Sequence, residues 1–375
     1  MVLEDLADLR RHLADTDVLS VYIDAAENDP TERSSWRMRL AARLDAVEQN
    51  LDEALHGPFA AARHRLDAAL RTYRGFLPGR GWAAFVTADQ VWDIGEVPAP
   101  MPDLVRWRRG PVLGPYLRAL KQNRPVVLAL VDQRRARLLR YQNGTLTEYA
   151  DHRADGFIDD LTDRTMSKRG GVYSGMRGET GTDAAERMLR QETDRLMKQV
   201  TRDLKPADGD AFIILAGSTP AVAALHRLLE PATGERLTIE TGMHLTMSVA
   251  ELQPRVETAA SALTRRRQFG DAASITDDAG PGGSALLGRD NVAAATALGQ
   301  VERVLVTPTL LEEHEEQAEM LIGHALEHGG EAELVSDEAA ALLDDVGGGV
   351  GARLRYAVRA APVPEGGGPE RPATA

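Results

Sequence analysis

Residues Val126-Val127-Leu128-Ala129-Leu130-Val131 form an unbroken apolar run of strand length between Pro125 and Asp132. A run so short and so apolar reads as a buried strand, and a buried strand needs covering elements around it. Ala136–Tyr141 and Thr145–Tyr149 follow, separated by the turn signal Asn143-Gly144, which makes a β-meander. An amphipathic stretch from about Asp183 to Leu204 predicts a long helix, with Asp183 and Glu186 in the first turn, where the helix dipole favours acids. A second buried strand, Phe212-Ile213-Ile214-Leu215-Ala216-Gly217-Ser218, leads into a helix at about Pro220–Leu229. Three strands, a long helix, a strand and a helix predict an α/β sandwich over residues 125–260.

Two further units flank it, in keeping with the two or three domains that 375 residues predict. Residues 1–124 read as an α/β domain, with a strand at Asp17–Asp24, helices at about Arg33–Leu55 and Phe59–Tyr73, and a hairpin of Gly81–Val86 with Val91–Ile94. Arg265-Arg266-Arg267 and Asp277–Gly283 read as a flexible boundary. Beyond it, helix Arg289–Leu298, strand Val301–Thr307, helix Glu312–Glu327, strand Ala332–Val335, helix Glu338–Asp344 and strand Ala352–Val358 predict a small αβα sandwich over 285–360. The Pro- and Gly-rich residues 361–375 are expected to be a disordered tail. The fold class is therefore α/β, in three domains.

The chain has no cysteine, which removes disulfides, thiolate zinc sites and cysteine nucleophiles. No apolar run reaches membrane-span length and the N-terminus lacks a signal-peptide pattern, so a cytoplasmic protein is expected. The net charge of −13 is unevenly spread. Arg106 to Arg140 holds ten Arg or Lys against Asp132 alone, a net of +9, whereas Glu302 to Asp345 holds thirteen acids against Arg303 alone, a net of −12. One part of the molecule is thus suited to phosphate, and another to solvent or a protein.

The chemistry-bearing stretch is Thr165-Met166-Ser167-Lys168-Arg169-Gly170-Gly171-Val172-Tyr173-Ser174-Gly175-Met176-Arg177. It has no carboxylate and no apolar period, so it reads as an exposed basic loop. The Gly-Gly pair lets backbone amides approach a ligand, and Lys168, Arg169 and Arg177 attract phosphate, which makes RNA the expected partner. Arg106-Trp107-Arg108-Arg109 interleaves cations with a stacking aromatic, a second candidate RNA contact, with burial of Trp107 in a core as the other reading. Arg187, Arg190, Arg195, Lys198 and Arg202 lie along the helix after the loop, interspersed with acids. His324-Ala325-Leu326-Glu327-His328 matches the inverted zinc-protease pattern, with carboxylates one or two turns upstream. Gly347-Gly348-Gly349-Val350-Gly351 lacks the Lys-Ser/Thr of a P-loop and leads into a strand, so it reads as a tight turn.

The order of these parts resembles the archaeo-eukaryotic peptide chain release factor and Pelota family, in its bacterial members. Four matches carry the resemblance: Ser167–Ser174 with the helix behind it, Phe212–Ser218, Gly288–Val306, and Gly347–Tyr356 with its Leu354-Arg355-Tyr356 end. The resemblance implies a ribonuclease-H-like middle domain whose loop enters the peptidyl transferase centre, and a third domain that meets a translational GTPase such as elongation factor Tu. It implies the ribosome, its RNA and its A site as partner, and no cofactor or metal. The family's loop reads Gly-Gly-Gln; here Gly170-Gly171 is followed by Val172. A valine can neither orient water nor stabilise charge through its side chain, so peptidyl-tRNA hydrolysis is not expected, and the loop, with Tyr173 beside it, is closer to members that occupy the A site without chemistry, such as the hibernation factor Balon. A peptide-releasing rescue factor and, more remotely, a metal hydrolase at His324 and His328 are the alternatives.

Overall fold

The computed structural model describes residues 3–26, 34–97, 99–122, 124–154, 181–204 and 211–357. They form three sheets, each with its own strand order.

The first unit comprises α1 (Leu3–Leu13), β1 (Asp17–Asp24), α2 (Ser35–Gln49), α3 (Glu53–Leu70), β2 (Gly81–Val86), β3 (Val91–Val97), β4 (Leu104–Arg109) and α4 (Gly114–Gln122). Its sheet is antiparallel in the order β3-β2-β1-β4. Strand alternation decides what covers each face. Leu19, Val21 and Ile23 pack with Trp36, Leu40, Phe59 and Leu66 of α2 and α3. Val18, Tyr22 and Phe85 point the other way, into a different core. The helix expected over Arg33–Leu55 is two helices, because Asn50 closes α2, its amide bonding the Val47 and Glu48 carbonyls and its Nδ2 the Ala46 carbonyl at 2.7 Å, while Asp52 is extended. The β4 strand went unread because its cations mask the inward residues Val105 and Trp107.

The second unit holds β5 (Val126–Val131), β6 (Arg135–Gln142), β7 (Thr145–Arg153), α5 (Gly181–Leu204), β8 (Phe212–Gly217), α6 (Thr219–Thr233) and β9 (Leu237–Ile239). Its order is β7-β6-β5-β8-β9, antiparallel through β7, β6 and β5 and parallel from β5 to β9, the ribonuclease-H-like layout. The apolar run at 126–131 is its central strand. Val127, Ala129 and Val131 pack with Leu196, Val200 and Leu225 of α5 and α6, and Val126, Leu128 and Leu130 with Leu252, Val256 and Leu263 on the opposite side.

Those last residues belong to α7 (Val249–Asp278), whose start is fixed by a capping box: the Glu251 amide donates to Ser248 Oγ and the Ser248 amide donates to Glu251 Oε2. The helix does not stop where a flexible boundary was expected. It continues through Arg265-Arg266-Arg267, with Gln268, Ala272 and Ile275 buried at helical spacing, and its second half packs in the third unit. Three adjacent arginines hid that stripe.

The third unit adds β10 (Ala285–Leu287), α8 (Arg289–Ala297), β11 (Val301–Val306), α9 (Pro308–Glu313), α10 (Glu315–Glu327), β12 (Glu331–Leu334), α11 (Asp337–Gly347) and β13 (Val350–Leu354). The sheet order is β10-β13-β11-β12, with β11 and β12 parallel. Gly348 ends α11 in the left-handed region at φ 57°, and the glycine run turns directly into β13, the tight turn its sequence predicts. One face of this sheet and one face of the first enclose a common buried cluster with α1, α4 and α10 between them: Val304, Val306, Leu321, Ile322 and Ala325 share it with Leu6, Leu13, Tyr22, Phe85 and Leu117. Chain ends far apart in sequence thus build a single core. Among the described residues no helix is long and apolar enough to cross a membrane.

Candidate functional site

The Gly170-Gly171-Val172 segment, with Lys168, Arg169, Tyr173 and Arg177, lies outside the described residues; the structure describes what it springs from. The chain leaves β7 at Arg153 and Ala154 and returns into α5, which packs Leu196, Met197, Val200 and Leu204 against the middle sheet. Polar contacts tie the two stems together. The Ala154 amide donates to the Arg134 carbonyl at 2.7 Å, Thr193 Oγ1 donates to the Gln133 carbonyl at 3.1 Å, and His152 lies 2.7 Å from Asp203 and 3.0 Å from Gln199. Asp132, the single acid of the basic stretch, accepts the amides of Arg134 and Arg135 at 2.7 and 2.6 Å and so shapes the turn beside Ala154.

Around these stems the exposed side chains are largely cationic. Arg134, Lys198 and Arg202 are exposed and, among the described residues, none has a carboxylate partner, while Arg195 pairs with Glu192 at 2.7 Å and Arg153 with Asp151 at 3.5 Å. Such groups attract phosphate without desolvation of a buried partner. Arg187 is in α5, but its side chain is outside what is described.

Arg106, Arg108 and Arg109 are elsewhere, on β4 of the first sheet. Trp107 is 9% exposed and stacks edge-on against Phe59, so the aromatic belongs to a core rather than to a stacking surface. Arg106 Nε donates to both oxygens of Glu315 at 2.9 and 3.0 Å. Arg109 is 69% exposed at its side chain, 3.3 Å from Asp15. Of the sequence candidates among the described residues, Arg106 thus reaches the third unit, whereas Arg109 stays with Asp15 in the first.

The seam between the first and third units takes up part of the charge imbalance. Arg10 pairs with Glu327 at 2.7 Å, Arg106 with Glu315, Lys121 with Glu331 at 3.5 Å, and Arg124 with Glu333 at 3.6 Å. Four cations of the first unit and of the segment after it face four acids of the third; the acidic run meets a basic run of its own chain. The outermost pair, Arg106–Glu315, is half in water and worth at most about 1 kcal/mol, whereas Arg124 and Glu333 are both buried, so removing either alone costs more there than at the outer pair. Burial works to raise the Glu331 carboxyl, yet Lys121 and Arg303 together hold it below its ordinary value. None of this was legible in the sequence beyond the two opposite totals.

His324 and His328 stack one turn apart, with His328 Nδ1 2.9 Å from the His324 carbonyl. The upstream acids are committed, Glu315 to Arg106 and Glu319 to backbone amides, and among the described residues no group of three or more His, Cys, Asp or Glu is placed to hold a metal.

Residues 111–266 match the family model described as bacterial archaeo-eukaryotic release factor family 10. No curated protein matches the chain. Among solved structures it is similar to Saccharomyces cerevisiae Dom34, a translation termination-like factor involved in RNA quality control pathways and interacting with Hbs1, at 13% identity and a TM-score of 0.37 over 62% of this chain and 63% of that one. It is similar to Archaeoglobus fulgidus Pelota at 15% identity and a TM-score of 0.36 over 96% and 94% of the two chains, and to archaeal Pelota from a model of the ribosome-bound protein with ABCE1 at 13% and 0.41 over 96% and 95%. The chain thus spans a little under two thirds of Dom34, and at these scores the family match carries the weight.

Proposed function

From the match of residues 111–266 to the bacterial archaeo-eukaryotic release factor family we propose that this chain is a member of it, a ribosome-binding translation factor that occupies the A site without hydrolysing peptidyl-tRNA. The observation that carries the reading is the loop sequence Lys168-Arg169-Gly170-Gly171-Val172, set between stems whose exposed side chains Arg134, Lys198 and Arg202 are free to meet phosphate. Glycines allow close approach to the catalytic centre, cations hold the loop against ribosomal RNA, and Val172 offers no group to orient water. Lys168, Arg169, Tyr173 and Arg177 are the first contacts in this reading, with Lys198 and Arg202 behind them. Arg109 supplies a second, separate cation, and Arg106 and Arg108 act at the seam instead. The task that follows is hibernation of idle ribosomes or recognition of stalled ones, with a translational GTPase such as elongation factor Tu as the partner of the third unit. The likeness to Balon rests on the loop sequence alone.

Cosedimentation with vacant ribosomes across a salt series tests the reading. Pelleting should weaken steeply as salt rises and be abolished by tRNA in the A site. A peptide-release assay on stalled complexes separates the rescue alternative: release by the unsubstituted chain would overturn the non-hydrolytic reading, and absence of pelleting at low salt, with a GTPase added, would overturn the ribosomal one.

A further inference from the structure

A cleft of about 380 Å³ opens where the first and third units meet. It lies outside the carboxyl ends of the parallel pair β11 and β12, a position at which α/β sheets commonly hold ligands. Its walls are largely apolar: Leu104, Val112 and Pro115 come from the first unit, and Pro308, Leu311 and Leu334 from the third. A volume of this size takes a small molecule, and an apolar lining with a few polar groups is what such sites carry.

Five charged residues also line the cleft, and three of them are committed. Glu319, 3% exposed, accepts the Leu113 amide on Oε2 at 2.7 Å and the Gly114 amide on Oε1 at 2.9 Å, and Arg106 donates to both oxygens of Glu315. Arg118 and Glu312 differ: both are exposed, and among the described residues neither has a hydrogen-bond or ion-pair partner. Helix geometry turns Arg118 towards the cleft. Gly114 opens α4 against Leu311, whose Cδ2 would lie 3.3 Å from a Cβ on residue 114, and Arg118 follows four residues later on the same face. Glu312 adjoins Leu311 on α9. An apolar interior is thus rimmed by one uncommitted cation of the first unit and one uncommitted acid of the third.

This lining selects a ligand by three features. Burial drives an apolar body into the cleft. A wholly apolar ligand leaves both charges unused, and a lone anion or cation meets one opposite charge and one like charge. A zwitterion satisfies both. We propose that the cleft binds a free α-amino acid with an apolar side chain, the side chain against Leu104 and Leu311, the carboxylate on Arg118 and the ammonium on Glu312. The proposal does not depend on the ribosomal reading.

A ligand-observed NMR titration of the full chain with leucine tests it. The comparison ligands are N-acetyl-leucine, which lacks the ammonium, leucinamide, which lacks the carboxylate, and serine, which lacks the apolar body. Leucine should bind about tenfold more tightly than each, because a charge-assisted hydrogen bond or a buried isobutyl group is worth about that factor. Arg118→Ala should weaken leucine about tenfold and leave leucinamide unchanged, whereas Glu312→Ala should weaken leucine and leave N-acetyl-leucine unchanged. Both side chains are exposed, so the variants keep the fold. Four results would each overturn the proposal: no saturable binding of leucine at millimolar concentration; serine bound as tightly as leucine; N-acetyl-leucine or leucinamide bound as tightly, which would point to a peptide end instead; or leucine affinity unaltered in Arg118→Ala.

Discussion

Replacing Leu321 by alanine tests whether the first and third units really are one body. Leu321 is fully buried on α10, in the cluster that also holds Leu6 and Leu13 of α1, Tyr22 of β1, Phe85 of β2 and Val304 of β11. The substitution removes three carbons. At about 0.8 kcal/mol for each, transfer alone costs about 2.4 kcal/mol, and incomplete collapse of the cavity adds about 1, for roughly 3.5 kcal/mol in all. That corresponds to about a 300-fold increase in the opening equilibrium of whatever unfolds with this core. Hydrogen exchange locates the loss. Protection should fall together in β11 and α10 and in β1 and β2, which lie 235 to 304 residues before Leu321 in the chain yet line the same core. The middle sheet has its own clusters and should keep its protection, whereas Leu215→Ala on β8 should do the reverse. If Leu321→Ala loosened the third unit and left β1 and β2 unchanged, the shared core would not be a cooperative unit and the argument would fail.

Gly217→Ala should destabilise the middle unit by about 2 to 4 kcal/mol, because φ is 125° there and a Cβ would fall 2.0 Å from the Val131 carbonyl oxygen that the Ser218 amide now reaches at 2.9 Å; an unchanged melting midpoint would refute this. Replacing Lys198 and Arg202 together by alanine should lower the slope of log affinity for ribosomes against log salt by about 1.5, and an unaltered slope would remove α5 from the RNA contact. Val172→Gln restores the family's side chain and should confer peptide release in a stalled-complex assay where the parent shows none; no gain would place the block elsewhere than in that side chain.

Periodicity made most of the elements readable. The strands at 17–24, 126–131 and 212–217 and the helix ending at Leu204 fall where alternation and apolar runs put them, because a strand buried on both faces leaves nothing polar to confuse it. The misses have a common cause: charge hid burial. In β4 the cations between Val105 and Trp107 suggested a binding patch, and in α7 three arginines suggested a linker, although in both places the neighbouring residues are core. Long cationic side chains run their stems over apolar surface and keep their heads in water or on a partner, so their presence says little about the backbone beneath.

The sequence by itself determined the α/β character of the three units and the glycine-rich turn into β13, since these depend on residues near one another in the chain. It also recorded two opposite blocks of charge. Only the tertiary structure decided what those charges face. Arg10, Arg106, Lys121 and Arg124 meet Glu327, Glu315, Glu331 and Glu333 across a core that joins the two ends of the chain, and Glu319 closes it on the amides of α4. Attraction between charges depends on distance and on the water excluded around them, and a linear sequence specifies neither until the apolar faces have chosen their partners.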